Sequence, residues 1–76
     1  MNVVVGLETL GEEKEADLMS WLVEDGSVVE AGQAIAVLET AKVTLDIEAP
    51  VAGVIRILVR AGQVVELGQA IARVEW

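Results

Sequence analysis

Residues 43 to 48 alternate strictly, with Val43, Leu45 and Ile47 apolar and Thr44, Asp46 and Glu48 polar. A period of two puts one set on each face of a strand, so the segment predicts a half-buried strand whose apolar residues turn to the core. Pro50 ends it, because proline cannot donate to a ladder. Elsewhere the apolar runs are five residues or fewer, cut by glycine-containing turns, and no 3.6-residue period appears. The pattern predicts eight short strands: Val3 to Val5, Leu18 to Val23, Ser27 to Glu30, Ala34 to Glu39, Val43 to Glu48, Val54 to Val59, Gln63 to Glu66 and Ala70 to Glu75. The acidic segment Glu8 to Asp17 reads as a solvated surface loop.

The strands are not independent of one another. Residues 22 to 39 laid over residues 58 to 75, an offset of 36, are identical at 12 of 18 positions. Gly26 falls on Gly62, Gly32 on Gly68, Gln33 on Gln69 and Glu39 on Glu75. Two copies of one strand-turn unit therefore predict an all-β fold, a pseudo-two-fold sandwich or flattened barrel. The four pairwise repeated glycines suit turn positions of positive φ. Trp21 reads as a core or edge-packing aromatic, and Lys14, among Glu12, Glu13 and Glu15, as a solubilising residue.

Size and composition narrow the function. Seventy-six residues bury only about 60 to 65% of the unfolded surface, so residues 1–76 are expected to form a single domain with one core. At 54% hydrophobic with no phenylalanine or tyrosine, the apolar mass is mostly Val, Ala, Leu and Ile, which favours strands. With no histidine and no cysteine, the commonest general base, the commonest metal ligand and every thiolate are missing. A self-sufficient active site is not expected, nor a metal site, and a binding or carrier role leads. Thirteen acidic against five basic residues give a net charge of −8, which disfavours nucleic acid and anionic lipid and favours a partner with a basic face. No long apolar segment or signal-like N-terminus is present.

Between the two copies lies Glu39-Thr40-Ala41-Lys42-Val43, the expected tip of a hairpin. Adding 36 to Thr40 gives Trp76, so a two-fold axis would place this tip and the chain's end at opposite poles. Lys42 would then project freely while the termini hold the domain from the other side. Glu39 reads equally well as a solvated strand end and as a recognition residue. Gly53 falls on Asp17 by the same offset, outside the matched segments; a turn role leads for it, and a position near the hairpin where a side chain would interfere is the alternative.

Several segments together resemble the lipoyl domains of 2-oxo acid dehydrogenase complexes, of the dihydrolipoamide acyltransferase type, within the biotinyl/lipoyl carrier superfamily. They are Leu10-Gly11-Glu12, Trp21-Leu22-Val23 before Gly26, Glu39-Thr40 before Lys42, Ala49-Pro50-Val51-Ala52-Gly53-Val54 beyond it, and Gly68-Gln69-Ala70-Ile71-Ala72 near the end. The resemblance implies two four-stranded antiparallel sheets with an internal pseudo-two-fold, a barrel-sandwich hybrid. It implies lipoic acid in amide linkage to Lys42, and Glu39, Thr40, Ala41, Val43 and Gly53 as recognition positions. The implied partners are a lipoate ligase or lipoyl transferase, a thiamine-dependent 2-oxo acid decarboxylase, an acyltransferase core and a dihydrolipoyl dehydrogenase. Such a domain is not itself an enzyme, and the implied location is cytoplasmic, or the mitochondrial matrix after loss of a transit peptide. The residues flanking the lysine depart from the common lipoyl pattern, which has aspartate before and alanine after, where this chain has Ala41 and Val43. Biotin carriers flank the lysine with methionine on both sides, which neither neighbour matches, so lipoate leads and biotin is the alternative. An unmodified lipoyl-like interaction module is the remaining reading.

Overall fold

The computed structural model describes residues 1–6 and 13–75. Every regular element in it is a strand: β1 (Asn2–Val4), β2 (Glu15–Trp21), β3 (Val28–Val29), β4 (Ala34–Glu39), β5 (Thr44–Glu48), β6 (Gly53–Ile57), β7 (Val64–Glu66) and β8 (Ala70–Glu75). They form two four-stranded antiparallel sheets, ordered β1-β8-β6-β3 and β5-β4-β2-β7. Advancing each strand of the first order by four, modulo eight, yields the second, which is the two-fold expected from the repeat.

The repeat reaches into the irregularities. In the β4–β5 ladder the register skips Ile35, and in the β1–β8 ladder it skips Ile71, the same position after an offset of 36. A bulge turns two successive residues to one side, so Ile35 with Ala36, and Ile71 with Ala72, are all fully buried. Leu18, Leu38, Ile55 and Val74 join them, and the two sheets close over one aliphatic core. Burying each of the leucine, isoleucine and valine side chains contributes about 1.5–3 kcal/mol. Trp21 packs against the core's edge and its Nε1 donates to the Val59 carbonyl at 2.9 Å, joining the end of β2 to the segment after β6.

The repeated turns use glutamine as well as glycine. Gln33 Oε1 accepts from Glu30 N and Gln69 Oε1 from Glu66 N, each at 2.9 Å, closing equivalent turns whose Gly32 and Gly68 have φ of +84° and +89°. Gly26 and Gly62 are also at positive φ, as their pairwise repetition predicts.

Two expectations change. The strand β2 begins at Glu15, not Leu18, so residues 15–17 are not loop: Glu15 and Asp17 face out while Ala16 and Leu18 are buried, an alternation hidden within the acidic run. Residues 13 and 14 of the expected loop precede the strand, and residues 8 to 12 lie outside the described residues. Val43 does not face the core; it is 51% exposed because it belongs to the turn, and the ladder resumes at Thr44. Leu45 is half-buried and Ile47 buried, as the alternation requires.

The two poles are separate. From Gly53, opposite Val29 and beside Glu75, the chain runs past Val59 at Trp21 to Val64 opposite Asp17. Asp17 in turn pairs with Glu39, so Glu39 and Glu75 lie at opposite ends of a body 33 Å long. The N-terminal ammonium donates to the Val74 carbonyl at 2.7 Å, holding the start of the chain at the Glu75 end. Among the described residues no helix is long and apolar enough to cross a membrane.

Candidate functional site

The β4–β5 connection is a two-residue tip, since Thr40 N donates to Val43 O at 2.8 Å and only Ala41 and Lys42 lie between. Two-residue hairpins usually adopt turns with positive φ, which match strand twist. No non-glycine residue among those described has a positive φ, so this tip is of the unprimed kind. The Thr40 hydroxyl organises it: Oγ1 accepts from Lys42 N at 3.2 Å and Val43 N at 3.1 Å, and lies 3.3 Å from Val43 O. A side chain thus satisfies amides that the turn leaves open. Ala41, Lys42 and Val43 are exposed, and the lysine side chain leaves a backbone fixed on both sides by ladder pairs.

This arrangement yields a direct expectation. Thr40→Val keeps the shape but removes the acceptor, and should speed amide exchange at Lys42 and Val43 while costing about 1 kcal/mol of stability. Thr40→Ser should retain most of the protection. Equal exchange in both variants would remove the hydroxyl from this role.

Beside the tip lies an open hollow of about 620 Å³. Glu39, Thr40, Ala41, Lys42 and Val43 all line it, together with Thr44, Val64, Ala16 and the carboxylates of Glu13, Glu15 and Asp17. Strand register explains the grouping, because Asp17 is opposite both Glu39 and Val64, and Glu39 opposite Thr44. Acidic side chains thus border the one amine of the tip, and among the described residues no cluster suited to a metal ion forms.

Gly53 is not brought to this site. It stands at the other pole, and a Cβ built on it would collide with the Glu75 carbonyl oxygen, lie 2.8 Å from Glu75 C and 3.0 Å from Val74 Cγ1. Its glycine is demanded by the close approach of β6 to β8, which removes the alternative position near the hairpin. The residue that does sit there is its repeat partner, Asp17. The offset of 36 contained that signal, since whatever lies beside Glu75 in one copy has its counterpart beside Glu39 in the other. Glu13 and Glu15 had no comparable sequence signal, because their acidic run reads as loop.

A family model described as "Biotin-requiring enzyme", which covers biotin and lipoyl attachment domains, matches residues 4–74. The chain belongs to the biotinyl/lipoyl domain family. Domains of this family hold lipoate or biotin covalently. Among solved structures, the chain is similar to the lipoyl domain of the 2-oxoglutarate dehydrogenase complex from Azotobacter vinelandii, at 25% identity and a TM-score of 0.71, over 84% of this chain and 82% of that one. The two-sheet architecture is that of a lipoyl domain. A search of curated protein sequences returned no match.

Proposed function

We propose that Lys42 is the attachment lysine of this biotinyl/lipoyl domain, that it carries lipoate, and that residues 1–76 act as one carrier domain moving acyl groups and reducing equivalents between the active sites of a 2-oxo acid dehydrogenase complex. The observation that carries this reading is the exposed lysine on a backbone tip held by Thr40, at the pole away from Glu75. The fit to the group rests on chemistry. An amide needs an accessible primary amine, and Lys42 supplies it on a tip where Ala41 and Val43 leave the approach unobstructed. The attached dithiolane supplies reversible two-electron redox chemistry and a sulfur acyl acceptor, which a chain without cysteine lacks.

The remaining residues position and present. Ladder pairs on both sides of the tip hold the lysine backbone, so a modifying enzyme meets a preformed turn. Glu39, Thr40, Ala41 and Val43 form its immediate surface, and Glu15 and Asp17 extend that surface along β2. Acylating Lys42 removes one positive charge, taking the formal charge from −8 to −9 and leaving the carboxylates as the dominant local field. A tether at the opposite pole keeps the tip at roughly millimolar effective concentration near its partners. The lipoyl neighbour's complex and the non-methionine flanks of Lys42 support lipoate over biotin.

Intact mass after co-expression with a lipoate ligase, and separately with a biotin ligase, tests the reading: a lipoyl adduct alone is expected. A biotin adduct alone would reverse the choice of cofactor, and no adduct from either would leave an interaction module. Association with a partner of basic face should also weaken steadily as salt rises, because the Debye length falls from about 30 Å at 0.01 M to about 8 Å at 0.15 M. Salt-independent binding would remove the electrostatic docking role.

A further inference from the structure

The two sheets divide the charges. Strands β2, β4, β5 and β7 carry six carboxylates, Glu15, Asp17, Glu39, Asp46, Glu48 and Glu66, and no basic residue. Strands β1, β3, β6 and β8 carry Arg56 and Arg73 against Glu75 alone. In a chain with five basic residues, two stand directly opposite each other, Arg56↔Arg73, on the outer face of the second sheet. Their inward neighbours Ile55 and Val74 are fully buried, which fixes both arginines outward. Residues so paired have Cβ atoms about 4.5–5.5 Å apart, and like charges there oppose folding.

The side chains answer the repulsion by parting. Arg73 Nε turns along its own strand to Glu75 Oε1 at 3.2 Å, and Arg56 Nη1 reaches the other way, to 3.8 Å from where a Cβ on Gly26 would stand. The nearby Asp25 has one oxygen engaged by Ile57 N at 2.9 Å. The most exposed large apolar side chain of the described residues, Val28 at 75%, lies on the same sheet in the row Val28↔Val54↔Glu75 next to the arginine pair. Nothing in the proposed carrier function uses this face, which is on the sheet opposite the acidic one.

We propose that the Arg56–Arg73 face of β6 and β8 is a second docking surface, for an acidic segment of a partner protein that sets carboxylates on the two guanidinium groups and an apolar residue on Val28. Two planar forks on adjacent strands suit carboxylate recognition, and an anion between them would relieve the repulsion the free domain carries. The salt dependence is distinctive. At low ionic strength the net charge of −8 repels an acidic partner. Near 0.15 M the screening length of about 8 Å is shorter than the roughly 10 Å between packed sheets, so the far carboxylates fade while the contact pairs persist. Binding should therefore be tightest at intermediate salt, unlike docking at the acidic face.

The test is an NMR titration of the isotopically labelled domain with a blocked peptide Glu-Glu-Leu-Glu-Glu, with Lys-Lys-Leu-Lys-Lys and inorganic phosphate as controls. The expected result is saturable shifts of the Val28, Val54, Arg56 and Arg73 signals with the acidic peptide alone, strongest at intermediate salt. In the Arg56→Gln/Arg73→Gln variant the affinity should fall at least tenfold while the melting temperature holds or rises, which separates lost docking from lost folding. Shifts confined to other residues, equal binding by the double variant, or equal shifts with phosphate would overturn the proposal. Concentration-dependent self-association abolished by the same double variant would also overturn it, assigning the face to a second copy of the chain.

Discussion

Lys42→Arg is expected to abolish covalent modification completely while leaving the fold intact. Arginine keeps the charge and most of the stem, but its guanidinium stays protonated and is a poor acyl acceptor. Because Lys42 is exposed and its backbone is held by Thr40 and by ladder pairs on either side, the substitution removes no buried contact, and the melting temperature should move by no more than surface substitutions usually do. Lys14 is the internal control. It is the only other lysine, it is exposed, and it precedes β2 in a chain stretch flanked by Glu13 and Glu15. Its side chain is not on a two-residue tip, so Lys14→Arg should leave the adduct unchanged. An adduct that survives Lys42→Arg and disappears in Lys14→Arg would move the attachment site, whereas loss in both would point to a wider recognition surface spanning β2 and the tip.

That contrast also marks how far the sequence could be read. The limits of β4 and β8 agree with expectation to the residue, since each is delimited by Gly-Gln before it and by glutamate at its end, and the repeat counts the same evidence twice. The start of β2 was not legible because its outward positions happen to be Glu15 and Asp17, and three charged residues in four resemble a loop until the burial of Ala16 is known. Val43 shares an alternation that physically begins one residue later, at Thr44, because the turn's own hydrogen bonds take the place of the ladder at Val43. Lys42 was legible as a symmetry-breaking residue, for its repeat counterpart would fall beyond the end of the second copy. The hollow was not, because Asp17 reaches Glu39 only through a pairing that spans 22 positions of sequence. Composition likewise gave the net charge but not its division between sheets, which depends on which strands are neighbours.

Gly53→Ala tests the pairing that the sequence concealed, and it should be the most damaging single methyl addition among the five glycines of positive φ. At Gly32, Gly62 and Gly68 a Cβ would meet nothing within 4 Å, so alanine there costs only the unfavourable positive φ, about 1–2 kcal/mol. At Gly53 the same methyl meets backbone atoms of Glu75, which cannot rotate away as a side-chain end could, and φ is +156° besides. Relief requires β6 and β8 to separate where Val54↔Glu75 and Ile55↔Val74 pair, and those strands carry fully buried Ile55 and Val74. A cost of about 3 kcal/mol or more follows from overpacking together with backbone strain. For a domain of this size each kcal/mol lowers the melting temperature by about 4–8 °C, so a drop of at least about 12 °C is expected, against about 4–16 °C for Gly32→Ala. Since the strained strands lie at the pole away from Lys42, the folded fraction of Gly53→Ala should still accept the adduct at the normal rate. Modification that fails in protein shown by circular dichroism to be folded would instead return Gly53 to the recognition surface.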